Sequence, residues 1–363
     1  MKGKKIVVLH IFDYQNFHLK IESVIYENIK RENKSGNIES YLYAPKYQGE
    51  GKYIFNKNEN LDTILKIIKV DIVVFHSLYK LEYLKHYKKI IQNNIPYFIR
   101  PHGSFSKVVM KKNKIKKFIL NYIVFKKFIK KAAGYIYLSK EEEKNSYLKK
   151  NRDKQVYYLP NMIEIENSSP KIKVDNNINL IYLGKFDFYY KNILLMLEVL
   201  KRISEKRKDV TVNLYGPIES KKNKILNKYL SDKIIYNGEV FGKEKNEAYS
   251  KADIFILLSK SEGMPMVILE ALNKNLACFV SKNTNVGEKL ESYKVGWSVE
   301  LTQVDEIVEK LNMAIDEYKE NKELIYRNIM LLLEKEFQWN MKKNQEIYEN
   351  IIELKDRICK NQD

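Results

Sequence analysis

Short apolar runs alternate with longer amphipathic stretches along most of this 363-residue chain. That alternation predicts parallel sheets wrapped by helices. In the first half the strand signals fall at Lys5 to Phe12, Asp71 to His76, Pro96 to Arg100, Gly134 to Leu138 and Val156 to Leu159. The pattern restarts at Asn179 to Leu183, Val210 to Tyr215, Ile234 to Asn237, Asp253 to Leu258 and Ala277 to Ser281. Between the halves, Glu164 to Asn177 is polar, holds Ser168-Ser169 and Pro170, and lacks a helical period, so it reads as a hinge. Beyond Gly296-Trp297 the pattern is helical to the end, and the stretch from Trp339 to about Cys359 is long enough to cross from a second unit back to a first. No internal repeat of solenoid length is visible.

A single hydrophobic core stops growing beyond about 250 residues, so this length suits two domains. The central polar break favours an α/β chain of two doubly wound, Rossmann-like units over one barrel. The expected boundaries are 1–165, 166–337 and a final helical piece, 338–363, packing on the first unit. In such sheets ligands collect at the carboxyl ends of the strands, so residues just after strands are where chemistry is sought.

Composition narrows the class. Hydrophobic residues make up 44% of the chain, enough to fill two cores, which excludes a disordered chain. No apolar run approaches the roughly 18 to 20 residues of a membrane-spanning helix. Met1-Lys2-Gly3-Lys4-Lys5 leads into Ile6-Val7-Val8-Leu9 without a small-residue cleavage site, so a cytoplasmic location is expected. Cys278 and Cys359 are the only cysteines, which argues against a disulfide framework or a cysteine zinc site. The net charge of +19 calls for an anionic partner without choosing among nucleic acid, anionic lipid and a phosphorylated small molecule.

The most informative segment is Ser261-Glu262-Gly263-Met264-Pro265-Met266-Val267-Ile268-Leu269-Glu270-Ala271-Leu272, directly after a strand signal. A glycine turn opening a helix offers unpaired backbone N–H groups and a positive dipole end to a diphosphate or a sugar. Pro265 is expected early in that helix, where its missing N–H costs nothing. Glu262 precedes the helix and Glu270 is expected about two turns into it, so both can face one cleft. Carboxylates suit vicinal hydroxyls, although two glutamates alone also describe an ordinary solvated helix face.

Five segments, taken in order, resemble the retaining GT-B glycosyltransferases of family 4. Glu262 and Glu270 match the family's pair of glutamates separated by seven positions, with Ser-Glu-Gly before and Glu-Ala after. Tyr182-Leu183-Gly184-Lys185-Phe186-Asp187, followed by Lys191, is similar to its strand end with two cations. Leu159-Pro160-Asn161, Arg100-Pro101-His102-Gly103 and Tyr215-Gly216-Pro217 are similar to its Pro-Asn turn, His-Gly loop and a recurrent strand end.

The resemblance implies a donor site on the second unit made of Gly184, Lys185, Lys191, Glu262, Gly263, Met264, Pro265, Met266 and Glu270. Lys185 and Lys191 would grip the donor diphosphate, where fixed cations meet the charge that grows on the leaving group. Glu270 would hold the ribose, Glu262 the transferred sugar, and His102 would touch that sugar. His102, Lys185, Lys191 and Glu262 are thus the candidate catalytic residues. Tyr14 and Arg100 are the candidates on the acceptor side, in the first unit; a structural ion pair explains Arg100 equally well. His76 has a strand-end position and no clearer signal. The sequence departs from the family at Asp13-Tyr14-Gln15-Asn16-Phe17, which lacks a glycine-rich loop, at Asn192, where Gly is common, and at Thr284-Asn285-Val286-Gly287-Glu288, which lacks a preceding double glycine.

The implied reaction transfers a sugar from a nucleotide-diphosphate sugar, UDP-linked before GDP-linked, to a glycan or lipid-linked glycan in surface polysaccharide assembly, with retention. No metal and no cofactor is expected, because lysines rather than an Asp-x-Asp loop meet the phosphates. Two alternatives stay open: a sugar-nucleotide epimerase of the same fold, and a basic nucleic-acid-binding protein, although no nucleic-acid partner is expected. The segment from Lys107 to Lys131 carries ten lysines and no acidic residue, with Phe118, Tyr122, Phe125 and Ile129 at near-helical spacing. It reads either as a core-facing helix with a basic face or as an interfacial helix on the anionic inner face of the cytoplasmic membrane.

Overall fold

The computed structural model describes residues 5–13, 21–34, 36–56, 58–111, 120–148, 154–166 and 176–360. Tyr14, Lys112, Lys114, Lys116, Lys117, Phe118 and most of the polar stretch between the halves lie outside the described residues. The chain divides into two compact units, Met1–Asn161 with Asn340–Asp363, and Met162–Trp339.

Among the described residues the first unit holds seven strands: β1 (Ile6–Ile11), β2 (Ile38–Tyr43), β3 (Ile54–Phe55), β4 (Ile72–His76), β5 (Tyr97–Arg100), β6 (Gly134–Tyr137) and β7 (Gln155–Tyr158). They pair in parallel in the order β3-β2-β1-β4-β5-β6-β7. The second unit holds β8 (Ile178–Leu183), β9 (Val210–Tyr215), β10 (Ile234–Tyr236), β11 (Ile254–Leu257), β12 (Ala277–Ser281) and β13 (Gly296–Val299). Their order is β10-β9-β8-β11-β12-β13, again all parallel. Strand order reverses between β1 and β4 in one sheet and between β8 and β11 in the other. Those two reversals open the crevices in which ligands of doubly wound sheets bind.

Three strands escaped the sequence pattern. β2 carries Glu39 and Ser40 among its apolar residues, β3 is two residues long, and β13 is an edge strand with Trp297 and Ser298 only partly covered. Each lacks the continuous apolar run that marked the others. Pro265 is the N-cap rather than an early residue of its helix, which runs Met266–Asn273. Glu270 consequently lies about one turn into the helix instead of two.

Aromatic packing fixes the strand ends of the first unit. Phe75, Tyr83, Tyr97 and Phe128 are fully buried, with Tyr97 and Phe128 stacked at 5.4 Å between ring centroids. Each such side chain contributes about 1.5–3 kcal/mol by leaving water. The Tyr83 hydroxyl donates to the His76 carbonyl at 2.7 Å, so one core ring also holds the last residue of β4. The helix Met341–Lys360 belongs to this unit and packs against the helix Ile21–Lys34 and β4.

The basic segment is not one continuous helix. Its described parts are a short helix, Lys107–Lys111, a π-helical turn, Leu120–Val124, and a second short helix, Lys126–Lys131. Phe125 and Phe128 are buried in the core and Ile129 packs against it, while Lys126, Lys127, Lys130 and Lys131 face solvent. The described part of the aromatic stripe therefore turns inward, because the core offers those rings more burial than an outer face.

Candidate functional site

The end of β8 and the turn after it are rigidly built. Gly184 donates its N–H to the Tyr215 carbonyl at 3.0 Å, and Gly216, at φ +131°, lies so close that a Cβ there would sit 2.0 Å from the Gly184 carbonyl oxygen. Only glycine allows that approach. The buried Tyr182 donates its hydroxyl to the Lys185 carbonyl at 2.8 Å. Asp187 accepts the N–H groups of Tyr189 and Tyr190, and Asn192, at φ +54°, turns the chain into the helix Ile193–Lys206. Asparagine tolerates this left-handed geometry better than most residues other than glycine.

These elements hold two cations differently. Lys185 is exposed, and its ammonium has no partner among the described residues. Lys191 Nζ lies 2.6 Å from Glu262 Oε1, with the two side chains 20% and 16% exposed. That oxygen lies outside hydrogen-bond geometry, so the link is a charge contact. It joins the turn after β8 to the loop after β11 across the strand reversal of this sheet.

The loop carrying Glu262 is fastened from behind. Glu262 donates its N–H to the Asn283 carbonyl at 3.1 Å, and the Asn285 side-chain amide donates to the carbonyls of Glu262 and Gly263 at 2.6 and 3.0 Å. Asn285 belongs to the loop that lacks the double glycine, and a single asparagine at φ +58° makes the turn and the anchor together. Met264 is 4% exposed, so its side chain packs into the interior of the second unit. Glu270 is held separately: Lys245 Nζ is 2.7 Å from its Oε2, and the Tyr249 hydroxyl donates to the same oxygen at 3.2 Å. The structure thus brings Lys191 and Glu262 into contact, and gives Glu270 a cation of its own. Sequence reasoning missed Lys245, whose only signal was its place in an unremarkable polar helix, Gly242–Ser250.

In the first unit, His102 follows β5 in a tight turn with φ +50°, and Gly103 continues it at φ +81°. Gly103 donates its N–H to the buried carboxyl of Glu142, which also accepts from the Leu138 N–H at 2.6 Å. Burial pushes the Glu142 carboxyl up, against those two backbone donors and the charge of Arg100. His102 Nε2 lies 2.9 Å from His76 Nδ1, and His76 Nε2 lies 2.8 Å from His10 Nδ1. Burial, with the charges of His10, His102 and Arg100, holds His76 well below the usual imidazole range. Burial, Arg100 and His10 do the same to His102, so both rings are neutral at pH 7. Arg100 is 3% exposed and donates to the Leu159 carbonyl at 3.0 Å. Among the described residues, no group of three or more His, Cys, Asp or Glu side chains could hold a metal ion. No helix among them is long and apolar enough to cross a membrane.

The two parallel sheets, of seven and six strands with flanking helices, are the fold of the GT-B glycosyltransferases. The chain superposes on the lipopolysaccharide outer core galactosyltransferase WaaB in its apo form with a TM-score of 0.68, at 16% identity, covering 97% of this chain and 100% of that one. It superposes on the pneumococcal O-GlcNAc transferase GtfA, solved with UDP and GlcNAc, with a TM-score of 0.69 at 9% identity, covering 97% and 99%. Residues 164–329 match the family model described as glycosyl transferases group 1, so the second unit carries a domain of that family. Two curated relatives match in sequence. The sulfoquinovosyl transferase SQD2 of Arabidopsis thaliana is 24% identical over 134 residues, 36% of this chain and 26% of that protein. An uncharacterized glycosyltransferase of Haemophilus influenzae is 27% identical over 160 residues, 43% of this chain and 44% of that protein. The matched regions thus span less than half the length of either relative.

Proposed function

We propose that this chain is a retaining glycosyltransferase that moves a sugar from a nucleoside-diphosphate sugar, with UDP favoured, to a glycan or lipid-linked glycan acceptor in surface polysaccharide assembly. The observation that carries the reading is the cationic strand end at the β8–β11 reversal: Lys185 exposed and without a partner among the described residues, and Lys191 held on Glu262. The family match of the second unit and the UDP and GlcNAc in the pneumococcal transferase support the choice of donor.

On this reading the acceptor oxygen bonds to the anomeric carbon as the carbon–oxygen bond to the diphosphate breaks. Attack and departure share one face, and the departing phosphate oxygen takes the acceptor proton. Lys185 and Lys191 meet the charge developing on the leaving group, which makes a metal unnecessary. Glu262 orients Lys191 in the free protein and turns to the transferred sugar once the diphosphate draws that lysine away. Glu270 accepts from the ribose hydroxyls, with Lys245 and Tyr249 fixing its carboxylate. His102 takes a hydroxyl of the transferred sugar.

A thermal-shift panel of UDP, GDP and their sugars tests the reading. A nucleotide at a hundred times its dissociation constant adds about 2.7 kcal/mol of stability. Stabilisation by UDP and its sugars is expected, and no shift with any nucleotide would refute it.

A further inference from the structure

His10 is the penultimate residue of β1, His76 ends β4 and His102 follows β5, and these three strands are neighbours in parallel register. His10 pairs with Val74, two residues before His76, and His76 pairs with Arg100, two residues before His102. The sheet therefore lines up three imidazoles at its carboxyl edge, with ring centroids 5.1 and 5.2 Å apart.

Each link in the row joins Nδ1 of one ring to Nε2 of the next. A neutral imidazole carries one N–H and one lone pair, so each link works only if one side donates and the other accepts. Two proton arrangements satisfy both links: every ring protonated on Nε2, or every ring protonated on Nδ1. Any mixture sets two lone pairs or two protons against each other.

The inner end chooses between them. His10 Nε2 lies 3.4 Å from Glu32 Oε2, too poorly aligned for a full hydrogen bond but well within reach of its charge. Glu32 is 2% exposed and accepts from the Ser40 hydroxyl at 2.6 Å, the Tyr348 hydroxyl at 3.2 Å and the Asn344 amide at 3.4 Å. Three donors converge on it, so it is an acceptor and an anion. A proton on His10 Nε2 faces that anion favourably, whereas a lone pair there is repelled. The charge of Arg100 also reaches the row, and it opposes a second proton on His76 and on His102.

We propose that Glu32, His10 and His76 are positioning residues that hold His102 in the Nε2–H tautomer, leaving its Nδ1 as an acceptor for a hydroxyl donor. The choice of a sugar hydroxyl as that donor rests on the function proposed above; the tautomer does not. A phosphate or carboxylate oxygen offers no proton to such a nitrogen.

The full-length protein, labelled with 15N in its five histidines, gives the answer in long-range proton–nitrogen correlation spectra at pH 7.5, assigned by one His→Gln variant at a time. His10, His76 and His102 are expected to share the Nε2–H pattern. An Nδ1–H or averaged pattern at His102 in the wild-type protein would overturn the proposal, and this measurement needs no variant to fold. In Glu32→Gln the charge is gone and the amide can turn either face to His10, so His102 is expected to become a mixture of tautomers. An unchanged Nε2–H signal in folded Glu32→Gln would also overturn it. With a donor sugar, the same variant is expected to lose about tenfold in kcat with little change in nucleotide affinity. A protein with the Nε2–H row but no transferase activity leaves this inference standing and removes the proposed function; an active transferase with Nδ1–H at His102 does the reverse.

Discussion

Lys185 and Lys191 separate a role in the reaction from a role in stability, because the structure treats them differently. Lys191→Ala leaves Glu262, 16% exposed, without its cation. Exposed pairs are worth about 0–1 kcal/mol and broken buried ones about 3–5, so this half-covered pair should cost about 1–2 kcal/mol. For a unit of this size that is a fall in Tm of roughly 2–8 °C. Lys185→Ala breaks no contact among the described residues, and its stability should stay within about 0.5 kcal/mol of wild type. Turnover should behave otherwise: each variant should lose about a hundredfold or more, close to 2.7 kcal/mol of transition-state stabilisation, since each removes one preorganised charge from the leaving group. The assay pairs a melting curve with initial rates at saturating donor, taken well below both melting temperatures. Wild-type kcat in both variants would refute the diphosphate role. A loss in Lys191→Ala alone, scaling with its Tm, would reduce the pair to a structural link.

Glu270→Ala should weaken binding of the bare nucleotide by about tenfold, as expected for one charged hydrogen-bonding group, while Glu262→Ala should spare it and damage transfer; calorimetry on the two variants separates the roles. Activity should survive EDTA, and loss restored by magnesium or manganese would contradict a lysine-held diphosphate. Stability should fall as pH drops below about 6.5, because His76 and His102 stay neutral in the fold while the unfolded imidazoles take up protons there; each contributes up to about 1.4 kcal/mol per pH unit, and a flat Tm from pH 7.5 to 5.5 would refute it. Any binding to anionic vesicles should be purely electrostatic, resting on residues such as Lys126, Lys127, Lys130 and Lys131 at about 1 kcal/mol each, and vanish at high salt; binding that persists in 0.5 M salt, a level of about a 4 Å screening length, would require apolar insertion that Phe125 and Phe128 cannot supply.

The two-sheet α/β fold was legible because its central strands are buried on both sides and so read as apolar runs. β2 was not, since Glu39 and Ser40 break the run while still pairing in the sheet. The motif around Glu262 and Glu270 could be read as residue types, but not its wiring. That Glu262 pairs with Lys191 depends on β8 and β11 being neighbours, a fact of strand order that no local spacing records. Lys245 and Asn285 were invisible for the same reason: a lysine on a polar helix and an asparagine in a loop are common, and only the fold shows what they hold. The histidine row is the sharpest case. His10, His76 and His102 are spread over more than ninety positions, and the parallel register of three strands is what makes them one chain of contacts.

The first unit is built from two separated stretches, Met1–Asn161 and Asn340–Asp363, with all of the second unit encoded between them. On the ribosome, β1 to β7 emerge long before the helix Met341–Lys360 exists. Until that helix arrives, Glu32 lacks the hydroxyl of Tyr348 and the amide of Asn344, and a buried carboxylate with so few donors is costly. The seven-stranded sheet can therefore collapse early, but the inner end of its histidine row is completed only by a stretch of chain synthesised after the whole second unit. An expression fragment that stops at residue 161 would carry every imidazole of the row and still lack what steadies its anion.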